Sequence, residues 1–262
     1  KCVPSRISSV TGRYCHTDGF RTIQQHLPTD QPNLLGKLKE LGYESAVFGH
    51  NHVWEDFWGD NTKSSGYVDY HSYTDDYFRP MLDRPWPAPE PPEGAPTPLE
   101  LPEGYDYSGR QTEPISGFCD HNRAEQAVAY LTKVRDRSRP FYLHVNFGTP
   151  HPRYRVEEPW FSMHDRAAIR PWTHELPRNA PLHMRAMREI RTGLEIPDEV
   201  LREIQAVYYG MVSRVDSHIG RVLQAVEDEG LFEDSIVLFW VDHGDFAGMY
   251  GLPEKWDTSM AD

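Results

Sequence analysis

Ser235-Ile236-Val237-Leu238-Phe239-Trp240-Val241, running straight into Asp242-His243-Gly244, is the stretch on which the expected fold turns. A strand with one wet face alternates apolar and polar residues. A nearly continuous apolar run instead predicts a strand covered on both faces, as in a parallel sheet flanked by helices. The chain on its N-terminal side agrees. A helical pattern starts at Pro197-Asp198 and runs towards Glu229, with Val200, Ile204, Val207, Met211, Val215, Ile219, Leu223 and Val226 recurring every three or four positions and Gly230 as its stop. Pro140 introduces a strand over 141–147, and Asp120 is placed to N-cap a helix reaching about Arg135. A helix over 33–42 leads into a buried strand over 43–49 centred on Ala46-Val47-Phe48. This alternation predicts an α/β fold with a mostly parallel central sheet. In such folds ligands bind beyond the carboxyl ends of the strands. Three strands deliver polar groups there: His50-Asn51-His52, Thr149-Pro150-His151 and Asp242-His243.

Two stretches break the pattern. Residues 54–115 are rich in Pro, Trp, Tyr and acidic residues and predict a long irregular excursion near the substrate mouth. Its aromatics, Trp54, Trp58, Tyr67, Tyr70, Tyr73 and Trp86, either stack on a sugar or aryl group or pin the excursion to the domain. Residues 148–195 read mostly as loop. With 262 residues the chain is long enough for one large α/β domain or two small ones. Its net charge of -13 disfavours a nucleic-acid partner, and it holds no apolar run long enough to span a bilayer. Cys2, Cys15 and Cys119 lack metal-type spacing; Cys15 and Cys119 read as two free thiols or as a pair in an exported protein.

Chemistry-bearing residues gather in four places. At the start stands Cys2-Val3-Pro4-Ser5-Arg6, continuing to Thr11-Gly12-Arg13, a cysteine whose thiolate two arginines can stabilise. Gly49-His50-Asn51-His52 and Pro150-His151-Pro152 place histidines after strands, His151 as a natural acid near neutral pH. The last segment runs from Asp242-His243-Gly244-Asp245 to Gly251-Leu252-Pro253-Glu254-Lys255. In it Asp242 offers a hard carboxylate to a divalent cation and Lys255 a point charge for an anion.

The Cys-x-Pro-Ser-Arg run with Thr-Gly-Arg resembles the modification site of the type I, formylglycine-dependent sulfatases. The Asp-His-Gly and Gly-Leu-x-x-Lys segment is similar to that family's downstream motif. The resemblance covers nearly the whole chain, from residue 1 to 262, and implies the alkaline phosphatase-like α/β/α sandwich. It implies that Cys2 is oxidised by a formylglycine-generating enzyme to an aldehyde whose hydrate attacks the sulfur of a small-molecule or carbohydrate sulfate ester. The second hydroxyl of the hydrate then expels sulfate. It further implies that Asp242, His243 and residue 2 bind a divalent cation, calcium in the first place and magnesium as an alternative. Arg6 would favour the ionised hydrate and His52 would contact it. His151 and Lys255 would hold the sulfate, with His151 protonating the leaving oxygen. His50 stands where many members have a lysine that contacts sulfate, so its role and the substrate subgroup stay open. The family also carries an Asp-Asp strand before the cysteine and a subdomain after the lysine, so a fragment incomplete at both ends is expected. A phosphodiesterase or phosphonate monoester hydrolase of the same superfamily is the nearest rival, and an inactive anion-binding module the third reading.

Overall fold

The computed structural model describes residues 1–54, 66–101, 103–115, 119–191 and 196–255, so Trp58 of the excursion lies outside the described residues. The chain forms two compact units. The first comprises Lys1–Pro85, Ser116–Gly148 and Ser217–Asp242; the second comprises Trp86–Ile115, Thr149–Asp216 and His243–Asp262.

The first unit is built on a parallel sheet. β1 (Glu44–Phe48) is buried at every position. It pairs along its whole length with β4 (Phe141–Val145), Glu44 opposite Phe141 and Phe48 opposite Val145. On its other edge Ala46 and Val47 face Tyr70 and His71 of β2 (Tyr70–His71). Alternate residues of a strand point to opposite faces, and β1 feeds two cores. Val47 packs with Val3, Ile7 and Val10 of α1 (Cys2–Thr11) and Leu35 of α2 (Leu34–Glu40). Ala46 and Phe48 pack with Ala127, Tyr130 and Leu131 of α3 (Asp120–Ala129) and the π-helical turn that prolongs it, and with Ala225 and Val226. Helices therefore cover both faces of the sheet, which is why 44–48 reads as an uninterrupted apolar strand.

The second unit has a parallel pair, β3 (Tyr107–Arg110) with β5 (Tyr154–Val156), and α4 (Leu182–Arg191). The long helix α5 (Asp198–Asp228) belongs to this unit up to Asp216 and to the first from Ser217. Tyr154, Val156, Phe161, Leu201, Ile204 and Val207 form its core. No helix among the described residues is long and apolar enough to cross a membrane.

Several expectations are corrected. The run 235–241 forms no strand: Ile236 is 99%, Leu238 84% and Phe239 73% exposed. A strand exists only where a neighbour accepts its backbone bonds, and among the described residues none pairs with this run or with the outer edge of β4. Asp120 is not the N-cap of α3; Cys119 is, and the Asp120 carboxylate turns to Arg123 and Gly148. The described part of 148–195 is mostly loop, as expected, but it also contains β5 and α4. β5 is three residues, too short to show a period, and α4 buries Arg188 beside Met184, which breaks the apolar stripe. The excursion after residue 54 is divided between the units, supplying β2 to the first and β3 to the second. Trp54 and Tyr67 pack in the α1–α2 core, and Tyr70 stacks edge-on with Phe78 in the α3 core, so these three aromatics pin the chain. Cys15 and Cys119 are free thiols.

Candidate active site

In the first unit the site is organised by α1. Pro4 sits in the opening turn, where a missing N–H costs nothing, and Gly12 ends the helix in the left-handed conformation, its N–H bonded to the Ser8 carbonyl. Val3, Ile7 and Val10 bury one face. Cys2 is itself buried at the first position, and Arg6 follows one turn later on the same side. Arg6 Nε donates to Asp242 Oδ2 at 2.7 Å; its Nη1 donates to the His50 carbonyl at 2.6 Å and to Asn146 Oδ1 at 3.3 Å. The Ser5 hydroxyl donates to the Asp242 carbonyl at 2.6 Å. One guanidinium thus joins the ends of β1 and β4 to the segment after residue 241. Ligand atoms of Cys2 and Asp242 lie within 4.8 Å of each other. His52 is held at φ 55° by the turn that Asn51 makes with the Val53 N–H, and its ring lies 5.8 Å from that of His50. The His50 ring in turn lies 5.1 Å from Tyr73, the one aromatic of the excursion that reaches this cluster among the described residues.

His144 on β4, two residues before Asn146, is half-buried. Its Nδ1 lies 3.3 Å from the Tyr142 hydroxyl. Burial first, and then the Arg6 charge, push its pKa down to about 4. The folded protein therefore keeps this ring neutral where the unfolded chain, near 6.5, takes up a proton. Stability is full above pH 6.5 and falls as pH drops towards 4, by up to roughly 3 kcal/mol. Urea unfolding between pH 4 and 7 should show a shallower acid slope for His144→Asn than for the wild type; parallel slopes would clear His144 of the effect.

In the second unit His243 directly follows Asp242 in the chain. Its Nδ1 donates to the Gly244 carbonyl at 2.9 Å, which leaves Nε2 with a lone pair. His151 shows the same tautomer: Nδ1 lies 2.8 Å from the Pro152 carbonyl, which only accepts. Its Nε2 is 2.7 Å from Lys255 Nζ, and an ammonium only donates. Lys255 is buried, 3.4 Å from Glu254 Oε1, and the same oxygen is 3.9 Å from His151 Nε2. Behind them the Tyr154 hydroxyl donates to Asp245 Oδ1 at 2.6 Å. Burial pushes the Asp245 carboxyl up, opposed by Tyr154, the Ala247 N–H, Lys255 and His151.

Among the expected residues, Cys2, Arg6 and Asp242 come together with the His50 backbone in one unit, and His151 with Lys255 in the other. Asn146 and Tyr154 join them without having been singled out in the sequence, and so do Ser5, Asp245 and Glu254, which lie inside the quoted motifs but had been given no role of their own. Asn146 carried a signal, a polar residue ending a strand; Tyr154 carried none.

The sulfatase family model matches residues 1–262. The chain belongs to the sulfatase family. A multifunctional alkaline phosphatase superfamily protein, PehA of Trinickia caryophylli, is 28% identical over 97% of this chain and 55% of its own length. Human iduronate 2-sulfatase is 26% identical over 98% of this chain and 48% of its own. The crystal structure of a phosphonate monoester hydrolase of Agrobacterium radiobacter matches with a TM-score of 0.68 at 20% identity, covering all of this chain and 56% of that one. The fold is accordingly the α/β architecture shared with that enzyme, and this sulfatase-family chain spans about half the length of the curated relatives it matches.

A divalent cation and a formylglycine are typical of the sulfatase family, and the residues present fit both. Residue 2 and the Asp242 carboxylate face one another within ligand range. Residue 2 heads a helix whose next turn carries the Arg6 guanidinium.

Proposed function

We propose that the chain carries the reacting groups of a sulfuric ester hydrolase acting on a sulfated carbohydrate or another small sulfate ester. The observation that carries this reading is the Arg6 junction. It holds the helix bearing residue 2 against Asp242, His50 and Asn146, and makes the start of the chain part of the sheet-end site. The carbohydrate class is drawn from the likeness to iduronate 2-sulfatase.

Cys2 is read as the precursor of formylglycine, whose hydrate supplies an oxygen nucleophile. Asp242, His243 and residue 2 are read as ligands of a divalent cation, calcium or magnesium, which supplies charge to stabilise that oxygen as an anion. The remaining work falls to side chains. Arg6 orients Asp242 and adds positive charge close to residue 2. Lys255 offers its ammonium to a sulfate oxygen. His151 begins neutral, its Nε2 lone pair facing Lys255. It therefore has to gain a proton before it can give one to a leaving alcohol oxygen. His52 borders the same cluster, and His50 contributes its carbonyl to Arg6, which ties it to the site through its backbone.

A second reading is favoured by the phosphonate monoester hydrolase likeness and by PehA: the same groups acting on a phosphodiester or phosphonate monoester. Both readings meet one experiment. Mass spectrometry of the residue-2 peptide should show the aldehyde, and Cys2→Ala should lower turnover by several orders of magnitude while leaving the protein folded. An unmodified thiol in active enzyme would sink the formylglycine reading. Aryl sulfate and aryl phosphonate, assayed side by side with added cation, separate the substrates by their kcat/KM.

A further inference from the structure

We propose that the Tyr154 hydroxyl, together with Asp245, is the positioning group that sets Lys255 against His151. The inference rests on the reading above, in which Lys255 and His151 meet the substrate. Tyr154 is fully buried on β5, and its ring stands edge-on to Tyr208 at 6.1 Å, so its hydroxyl has one place to be. That hydroxyl makes two bonds across the unit. It donates to Asp245 Oδ1 at 2.6 Å and accepts the Glu254 N–H at 2.8 Å. Asp245 Oδ1 also takes the Ala247 N–H at 2.8 Å.

These bonds close the segment from 245 to 254 on itself. The Phe246 N–H reaches the Glu254 carbonyl at 3.2 Å and the Gly248 N–H reaches Leu252 at 2.9 Å. At the end of that segment Glu254 adopts φ 60°, left-handed backbone that a side chain disfavours, and the Tyr154 bond holds its N–H. Lys255 is the next residue. Its ammonium is thereby delivered 2.7 Å from His151 Nε2. His151 belongs to the strand's own approach: its Nδ1 is fixed by Pro152, two residues before Tyr154. One buried side chain therefore fixes both partners, the histidine through the chain and the lysine through a hydroxyl. A phenylalanine would fill the core equally well. What the hydroxyl adds is this placement, and keeping the half-buried Asp245 carboxylate beside it carries a desolvation cost that packing alone does not explain.

In the full-length enzyme, Tyr154→Phe should lower kcat/KM by about 10- to 100-fold at an unchanged Tm, the scale of a misplaced group. In a Lys255→Ala background the same substitution should cost less than about 2-fold, because the group it positions is gone. Equal losses in both backgrounds would show a general structural role and overturn the proposal. Imidazole ¹⁵N NMR reads the placement without turnover. Wild-type His151 should show a protonated Nδ1 and an Nε2 that accepts from Lys255; Tyr154→Phe should shift the Nε2 signal towards that of a nitrogen that has lost this bond, while Nδ1, held by Pro152, stays protonated. An unchanged His151 spectrum overturns the positioning role whatever the rate. A shifted spectrum with Lys255→Ala at wild-type turnover supports it, and overturns the substrate role of Lys255 instead. Should Tyr154→Phe fail to fold, Asp245→Ala removes the hydroxyl's acceptor without touching the ring and carries the same test.

Discussion

Asp120→Ala should cost about 3–5 kcal/mol, a third or more of the stability of a typical domain, because it strands a buried arginine. Asp120 and Arg123 are both buried on the first turn of α3, with Arg123 Nη1 2.7 Å from Asp120 Oδ1. Burial by itself would push the Arg123 pKa down; Asp120 and Tyr73 outweigh it and lift it above its usual value. The guanidinium thus stays charged in a dry place and depends on its carboxylate. The same Oδ1 accepts the Gly148 N–H at 2.7 Å, while Arg123 Nη1 reaches the Asn146 carbonyl at 3.3 Å. The pair therefore clamps the chain leaving β4, where Asn146 meets Arg6. Urea unfolding should show a large fall in midpoint with the slope unchanged. Asp120→Asn should cost less, since an amide oxygen still accepts from Gly148 and Arg123. The double variant Asp120→Ala/Arg123→Leu should recover part of the loss, since no charge is left uncompensated. A double variant as unstable as Asp120→Ala alone would place the cost in the Gly148 contact and not in the stranded charge.

The same clamp shows why the site was only partly legible. Cys2, Arg6, His151, Asp242 and Lys255 could be picked out because their chemistry is rare and their order informative. Their partners were invisible for a different reason: the Arg6–Asp242 bond spans 236 residues and the Tyr154–Asp245 bond spans 91, and no local pattern records either. For the fold, β1 was legible because helices cover it on both faces, so its apolar run and its burial agree. Residues 235–241 carry the same run and form no strand among the described residues. Apolar continuity reports what a segment would bury, whereas strand structure needs a neighbouring backbone. α5 was legible from end to end because its period lasts over eight turns, and α4 was not because a buried arginine, Arg188, interrupts its stripe.

The close approach of β1 to β4 makes Gly49→Ala the substitution with the harshest steric demand at the site. Gly49 has φ 85°, and a Cβ there would fall 2.1 Å from the Asn146 carbonyl oxygen and 3.1 Å from Arg123 Cδ. Arg123 can rearrange; the Asn146 carbonyl cannot, because its own N–H is tied to Phe48 O at 2.7 Å. Gly42, at the other end of the same strand, shares φ 85° and has nothing within 4 Å of its would-be Cβ. It isolates the backbone preference from the clash. Gly42→Ala should cost about 1 kcal/mol, the usual penalty for a side chain in left-handed backbone. Gly49→Ala should cost that much plus the separation of two paired strands, above about 4 kcal/mol in total. The separation falls on His50 and Asn146, both acceptors for Arg6, so any folded fraction should also have lost activity. Denaturation of the two variants side by side decides the matter. Equal losses would mean that β1 and β4 can part at no cost, and that the Arg6 junction tolerates movement of the two strand ends it joins.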